Sequence, residues 1–109
     1  MIRSMVTTVV LSLAAAAGVA AQDVKKGEQV FADQKCSLCH SIAGKGNAKG
    51  SLDGVAAKLK ADEIRQWIVD SKGMTEKTKA ERKPVMKVYT LPADEVDGLV
   101  AYLTTLKKK

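Results

Sequence analysis

Three residues of reactive type stand side by side in this chain, in the run Cys36-Ser37-Leu38-Cys39-His40. They are its two cysteines and its one histidine, in 109 residues. Two thiols three positions apart with an imidazole directly after them make a C-x-x-C-H pattern, the attachment signature of c-type haem. The spacing follows from the reaction. Each thiol adds to one vinyl group of a porphyrin, so the two sulfurs must reach adjacent edges of one ring, and one helical turn places them there. The next residue projects over the ring face, where His40 can offer its imidazole to the iron as the proximal ligand. The pattern occurs once, which predicts one haem.

Other uses of these residues fail on context. A zinc site takes about four ligands, usually from two separated segments, and here every Cys and His lies in one pentad. A thiol-redox C-x-x-C belongs in a βαβ setting, and no strand pattern is evident. A disulfide across two residues would staple almost nothing, because the stabilisation grows with loop length.

The elements that must hold the pentad read as helices. Residues 23–35 predict the first, with Asp23 as cap and Val24, Gly27, Val30 and Phe31 at helical spacing. Residues 41–51 are polar and rich in Gly and Asn, so they wrap rather than pack. Leu52, Val55, Ala56 and Leu59 predict a short apolar helix or turn. Residues 62–71 predict a clearer helix. Asp62 and Glu63 suit its N-terminal end, Ile64, Trp67, Ile68 and Ser71 share a face, and Gly73 ends it. Residues 72–90 read as a long irregular segment, of a length that is usually functional or disordered. Residues 92–106 predict the last helix, with Pro92 in its first position and Asp94 and Glu95 in its first turn. Val96, Leu99, Val100 and Leu103 form its apolar stripe, flanked by Tyr102 and Leu106, and Lys107 to Lys109 complement its C-terminal end.

Residues 1–21 read as a cleaved signal peptide. Arg3 supplies the positive start, Val6 to Ala17 the apolar run, and Val19-Ala20-Ala21 the small-residue cleavage site before Gln22. No other segment could cross a membrane, so no stable insertion is expected after cleavage. Residues 22–109 form one small domain that stays basic, since only Arg3 of the 18 Lys and Arg is lost against 12 Asp and Glu. Its large aromatics are few: Phe31, Trp67, Tyr89 and Tyr102. A domain so short of core is expected to depend on a buried porphyrin for folding.

The pentad resembles a cytochrome c haem site, and residues 23–106 resemble the small bacterial class I cytochromes c. The resemblance implies an all-α cytochrome c fold, four to five helices around one covalently bound haem c, with the N- and C-terminal helices crossing closely at a glycine. Gly27 and Phe31 match that crossing, although one residue more than in the family pattern separates Phe31 from Cys36. The run Asp97-Gly98-Leu99-Val100-Ala101-Tyr102-Leu103 resembles the family's terminal helix, including its Tyr. Trp67 falls where the family carries an aromatic lining the haem pocket, and an ordinary core tryptophan is the other reading. The family usually places a proline after the polar loop, whose carbonyl accepts a hydrogen bond from the proximal histidine. Ser51-Leu52 stands there instead, leaving another backbone carbonyl to orient His40.

The resemblance also implies a methionine thioether as second axial ligand, delivered by the segment before the last helix. Beyond the leader the candidates are Met86 and Met74, with an open site as the third reading. Met86, after Pro84-Val85 and a short connector before the last helix, matches the family's placement. Met is also a common filler of core gaps. A His40/Met86 pair would favour Fe(II) and leave no entry for O₂, which implies a carrier of single electrons rather than an enzyme. Lys35 and Lys87 would flank the haem edge, and Lys45, Lys49, Lys72, Lys77, Lys79 and Lys83 lie on loops that border the same face in the family. Such a ring would steer acidic-faced redox partners. The expected setting is the periplasm and the expected state a monomer, with no nucleic-acid partner. The alternatives are a haem-bearing subunit of a periplasmic dehydrogenase and a haem sensor with a labile sixth ligand.

Overall fold

The structure, a computed structural model, describes residues 14–108. Residues 1–13 of the expected leader lie outside the described residues. Five helices and one two-stranded ribbon make up the fold: α1 (Ala14–Asp33), β1 (Ser41–Ile42), β2 (Lys45–Gly46), α2 (Val55–Lys58), α3 (Ala61–Val69), α4 (Ser71–Thr78) and α5 (Ala93–Leu103). Short 3-10 turns occupy Cys36–Leu38 and Ala48–Gly50.

The crossing of α1 and α5 is the centre of the packing. Val30 of α1 is buried with Val96, Leu99, Val100 and Leu103 of α5, and α3 completes this core with Ile64 and Ile68. The helices meet glycine to glycine. A Cβ on Gly27 would fall inside the carbonyl of Gly98 and against the Tyr102 side chain. One turn further on, Phe31 meets Tyr102 edge to face, with ring centroids 6.0 Å apart and planes at 76°. That is a favoured aromatic geometry. Ion pairs border the crossing, Lys26 with Asp94, and Arg65 with Asp97 at 2.7 Å.

The helix ends differ from expectation in instructive ways. α1 begins well before Asp23, which therefore lies inside the helix and caps nothing. The alanine-rich stretch upstream has the highest helix propensity available and carries the helix through it. At the other end, Lys35 takes a left-handed conformation, φ 55° and ψ 39°, and turns the chain into the Cys36–Leu38 turn. α5 stops at Leu103, three residues early. The Thr104 and Thr105 hydroxyls donate to the carbonyls of Ala101 and Tyr102 at 2.9 and 2.6 Å and so satisfy two acceptors at the helix end. Pro92 sits at the N-cap rather than inside the first turn.

The largest correction concerns residues 72–90. Residues 71–78 are helical, and the irregular stretch begins at Lys79. Gly73 does not end α3. It is the third residue of α4, and its N–H donates to the Asp70 carboxylate at 3.2 Å. Asp70 closes α3 and caps α4, and a side chain at position 73 would strike that carboxylate. The polar loop after His40 is also more ordered than a simple wrap. Ile42 pairs with Lys45 across Ala43-Gly44, both at positive φ (51° and 80°), the two-residue turn that suits a twisted hairpin.

Candidate functional site

A cavity of about 580 Å³ opens between α3, the Cys36–His40 turn and the segment from Ala80 to Tyr89. Its floor is the face of the core that the helices leave uncovered: Ile64, Ile68, Leu99 and Leu103, with Leu52, Val55 and Leu59 beside them. A mostly apolar void of this size is what a large planar cofactor needs, since pockets for small molecules and cofactors run roughly 300–1,000 Å³.

Cys36, Cys39 and His40 line one wall of the cavity. The 3-10 turn sets their presentation. Cys39 N–H and His40 N–H both donate to the Cys36 carbonyl, at 3.2 and 2.9 Å, which rolls the pentad into one tight turn. The two thiols are free and half-buried. Burial pushes the Cys36 thiol up, with the Lys87 ammonium opposing it.

His40 is oriented from behind. Its Nδ1 lies 2.9 Å from the carbonyl oxygen of Gly50. A proton held on Nδ1 by that bond leaves the lone pair on Nε2, the tautomer a metal ligand requires. Burial lowers the His40 pKa, the Gly50 bond opposes this, and the Arg82 charge adds to the lowering. A neutral imidazole is therefore favoured. Gly50 takes the role left open by the missing proline. It ends the Ala48–Gly50 turn, whose start is fixed by the Asn47 side chain accepting from Lys49 N–H at 3.0 Å. Gly50 is buried against the Cys39 carbonyl and the Arg82 guanidinium, and a side chain there would collide with both.

Met86, Val85, Pro84, Thr75 and Trp67 also line the cavity. Met86 is half-buried and lines the cavity. Met74 is 6 % exposed, packed on α4, and is not among the cavity-lining residues. Trp67 lines the cavity and is half-buried, so its pocket reading and its packing reading both describe it. Lys35 and Lys87 stand at the cavity. Lys45 faces a separate shallow cleft with Glu28 and Tyr102. Two residues that the sequence did not single out contribute directly. Gly50 holds His40, and Arg82 reaches across the cavity edge to donate to the Cys39 carbonyl. One signal for Arg82 was available: beyond the leader it is one of two arginines among seventeen Lys and Arg, and the one fork-shaped donor in the segment before the last helix.

The donor set fits a covalent haem. Two thiols, an imidazole and a thioether line one mostly apolar cavity. Among the described residues no cluster of three His, Cys, Asp or Glu is placed for a separate metal ion. No helix among the described residues is long and apolar enough to cross a membrane. A family model described as Cytochrome c matches residues 24–107. No curated protein and no solved structure matches the chain.

Proposed function

The chain belongs to the cytochrome c family, a family of haem-bearing electron-transfer proteins with covalently bound haem c, and from that premise we propose that it shuttles single electrons through a His40/Met86-ligated haem. The observation that carries this reading is the cavity itself. Cys36, Cys39, His40 and Met86 all line it, while Met74 is buried on α4 and is not among the lining residues.

The roles divide by chemistry. Cys36 and Cys39 supply the thioether attachments. His40 supplies the proximal nitrogen, held in the required tautomer by Gly50. Met86 supplies the distal sulfur, a soft ligand that favours the reduced metal and raises the potential relative to two imidazoles. When bound, the haem supplies the iron that gains and loses one electron. Ile64, Ile68, Leu99 and Leu103 keep water from the inner edge and keep the local dielectric low. Held between His40 and Met86, the haem would have no entry for small ligands and would change little between oxidation states.

The setting proposed is the periplasm, reached through the leader of residues 1–21. Lys35 and Lys87 beside the cavity support docking to acidic-faced donors and acceptors. The protein works as a free monomeric shuttle on this reading.

The test is a redox titration of the purified holoprotein together with exposure of the reduced form to CO at neutral pH. The expected result is a reversible one-electron transition and no CO complex. Ready CO binding contradicts the carrier reading and favours a sensor with a labile sixth ligand. Rates with an acidic redox partner should fall as salt is raised, and salt-independent rates contradict the steering.

A further inference from the structure

The segment from Glu81 to Val88, which carries Met86, makes few hydrogen bonds. Its flanks are anchored. Ala80 N–H donates to the Thr75 carbonyl at 3.1 Å, and Tyr89 N–H to the Ile68 carbonyl at 3.3 Å. Between them, among the described residues, no backbone group of 81–88 bonds to the rest of the chain. The one hydrogen bond from this arch is the Arg82 guanidinium donating to the Cys39 carbonyl.

That contact is built from both sides. The Cys39 carbonyl belongs to the haem-attachment turn, one residue from His40. Gly50 lies against the same guanidinium, and a Cβ there would displace it. Gly50 is also the residue whose carbonyl orients His40. One side chain from the distal arch therefore seats at the junction of the attachment turn and the histidine's own hydrogen-bond partner.

We propose that Arg82 is a positioning residue for the distal ligand, pinning the Met86 arch to the Cys39 carbonyl and so holding the thioether at the iron. The inference rests on the Met86 reading above. The physical reason is loop entropy. An arch tied near its start has less freedom to carry Met86 away from the cavity than one tied only at its ends. A charge-assisted bond to a carbonyl can supply that constraint even with part of its strength lost to solvent. Lysine would keep the charge and lose the planar fork.

The experiment titrates imidazole, which competes with a thioether for the sixth position, into the oxidised holoprotein and follows the visible spectrum. Arg82→Ala should bind imidazole about tenfold more tightly than wild type, about 1.4 kcal/mol. Arg82→Lys should bind it several-fold more tightly. In a Met86→Ala background the Arg82→Ala substitution should leave imidazole affinity unchanged, because no thioether remains to be positioned. Wild-type affinity in Arg82→Ala overturns the proposal. So does an Arg82 effect that persists undiminished in the Met86→Ala background, since the arginine would then act on the pocket and not through Met86. Should Arg82→Ala fail to accumulate as holoprotein, wild-type affinity in Arg82→Lys overturns it equally. Failure of the underlying reading shows separately, as a sulfur-to-iron charge-transfer band that survives in Met86→Ala.

Discussion

The α1/α5 crossing and the Glu81–Val88 arch are built on opposite principles. At the crossing, Gly27 and Gly98 let two backbones touch, Phe31 and Tyr102 lock edge to face, and the apolar stripe of α5 is buried. Along the arch, Val85 and Val88 are 44 % and 50 % exposed, and a single side-chain hydrogen bond ties the interior of the segment. The first region is held by its own packing. The second is held at its two ends and by Arg82, and on the reading proposed above it would also be tied by Met86 to the haem. Attachment chemistry on that reading sits beside the packed half, and the exchangeable ligand on the sparsely bonded one. That division suits a carrier whose proximal side must stay fixed.

Breaking the rigid half at its chemistry has the largest expected effect. The double substitution Cys36→Ala and Cys39→Ala should abolish covalent haem, read as complete extraction of pigment into acidified organic solvent. Retained pigment contradicts the assignment. Gly27→Ala comes next. Its new methyl would overlap the Gly98 carbonyl, a backbone atom that cannot swing away, and overpacking of this kind should cost about 3 kcal/mol. Gly98→Ala sharpens the comparison. Its Cβ would lie 3.1 Å from Gly27 N, a milder contact, and alanine's helix preference of about 1 kcal/mol offsets it, so the net change should be near zero. Denaturant unfolding of the two holoprotein variants measures the asymmetry, and equal losses contradict it.

The smallest effect is electrostatic and lies at the edge of the crossing. The hydrogen-bonded Lys26 ammonium holds the Asp94 carboxyl below its ordinary value of 3.8. A carboxyl lowered in the folded state contributes stability above its unfolded value and loses it as pH falls through the folded one. Asp94→Asn should therefore cost a little stability at neutral pH, a difference that disappears as pH falls below about 4 and shrinks in high salt. Both partners are exposed, so a large loss at neutral pH would contradict this account of the pair.

What could be read from residue order divides along the same line. The α5 stripe is a periodic pattern and is buried where its spacing pointed, and the glycine crossing lies where the family resemblance placed it. α4 was hidden because Gly73 reads as a helix stop, while its lack of a side chain is what admits the Asp70 cap. The αL turn at Lys35 leaves no compositional trace, since lysine rarely adopts it. Gly50 and Arg82 escaped for a different reason. Their roles depend on a carbonyl and a guanidinium meeting residues distant in sequence, and neither periodicity nor composition encodes that meeting. The choice between Met74 and Met86 was likewise open in sequence and acquires its weight from burial on α4 against exposure to the cavity.

The most direct test of the account compares the weak sulfur-to-iron charge-transfer band of the oxidised holoprotein in wild type, Met86→Ala and Met74→Ala. The account predicts that wild type shows the band and Met86→Ala loses it. Met74→Ala should keep the band while losing about 3 kcal/mol of stability from the cavity it leaves. A band that survives in Met86→Ala and vanishes in Met74→Ala would contradict the assignment of the distal ligand, and with it the division of the molecule into a packed proximal half and a ligand-held distal arch.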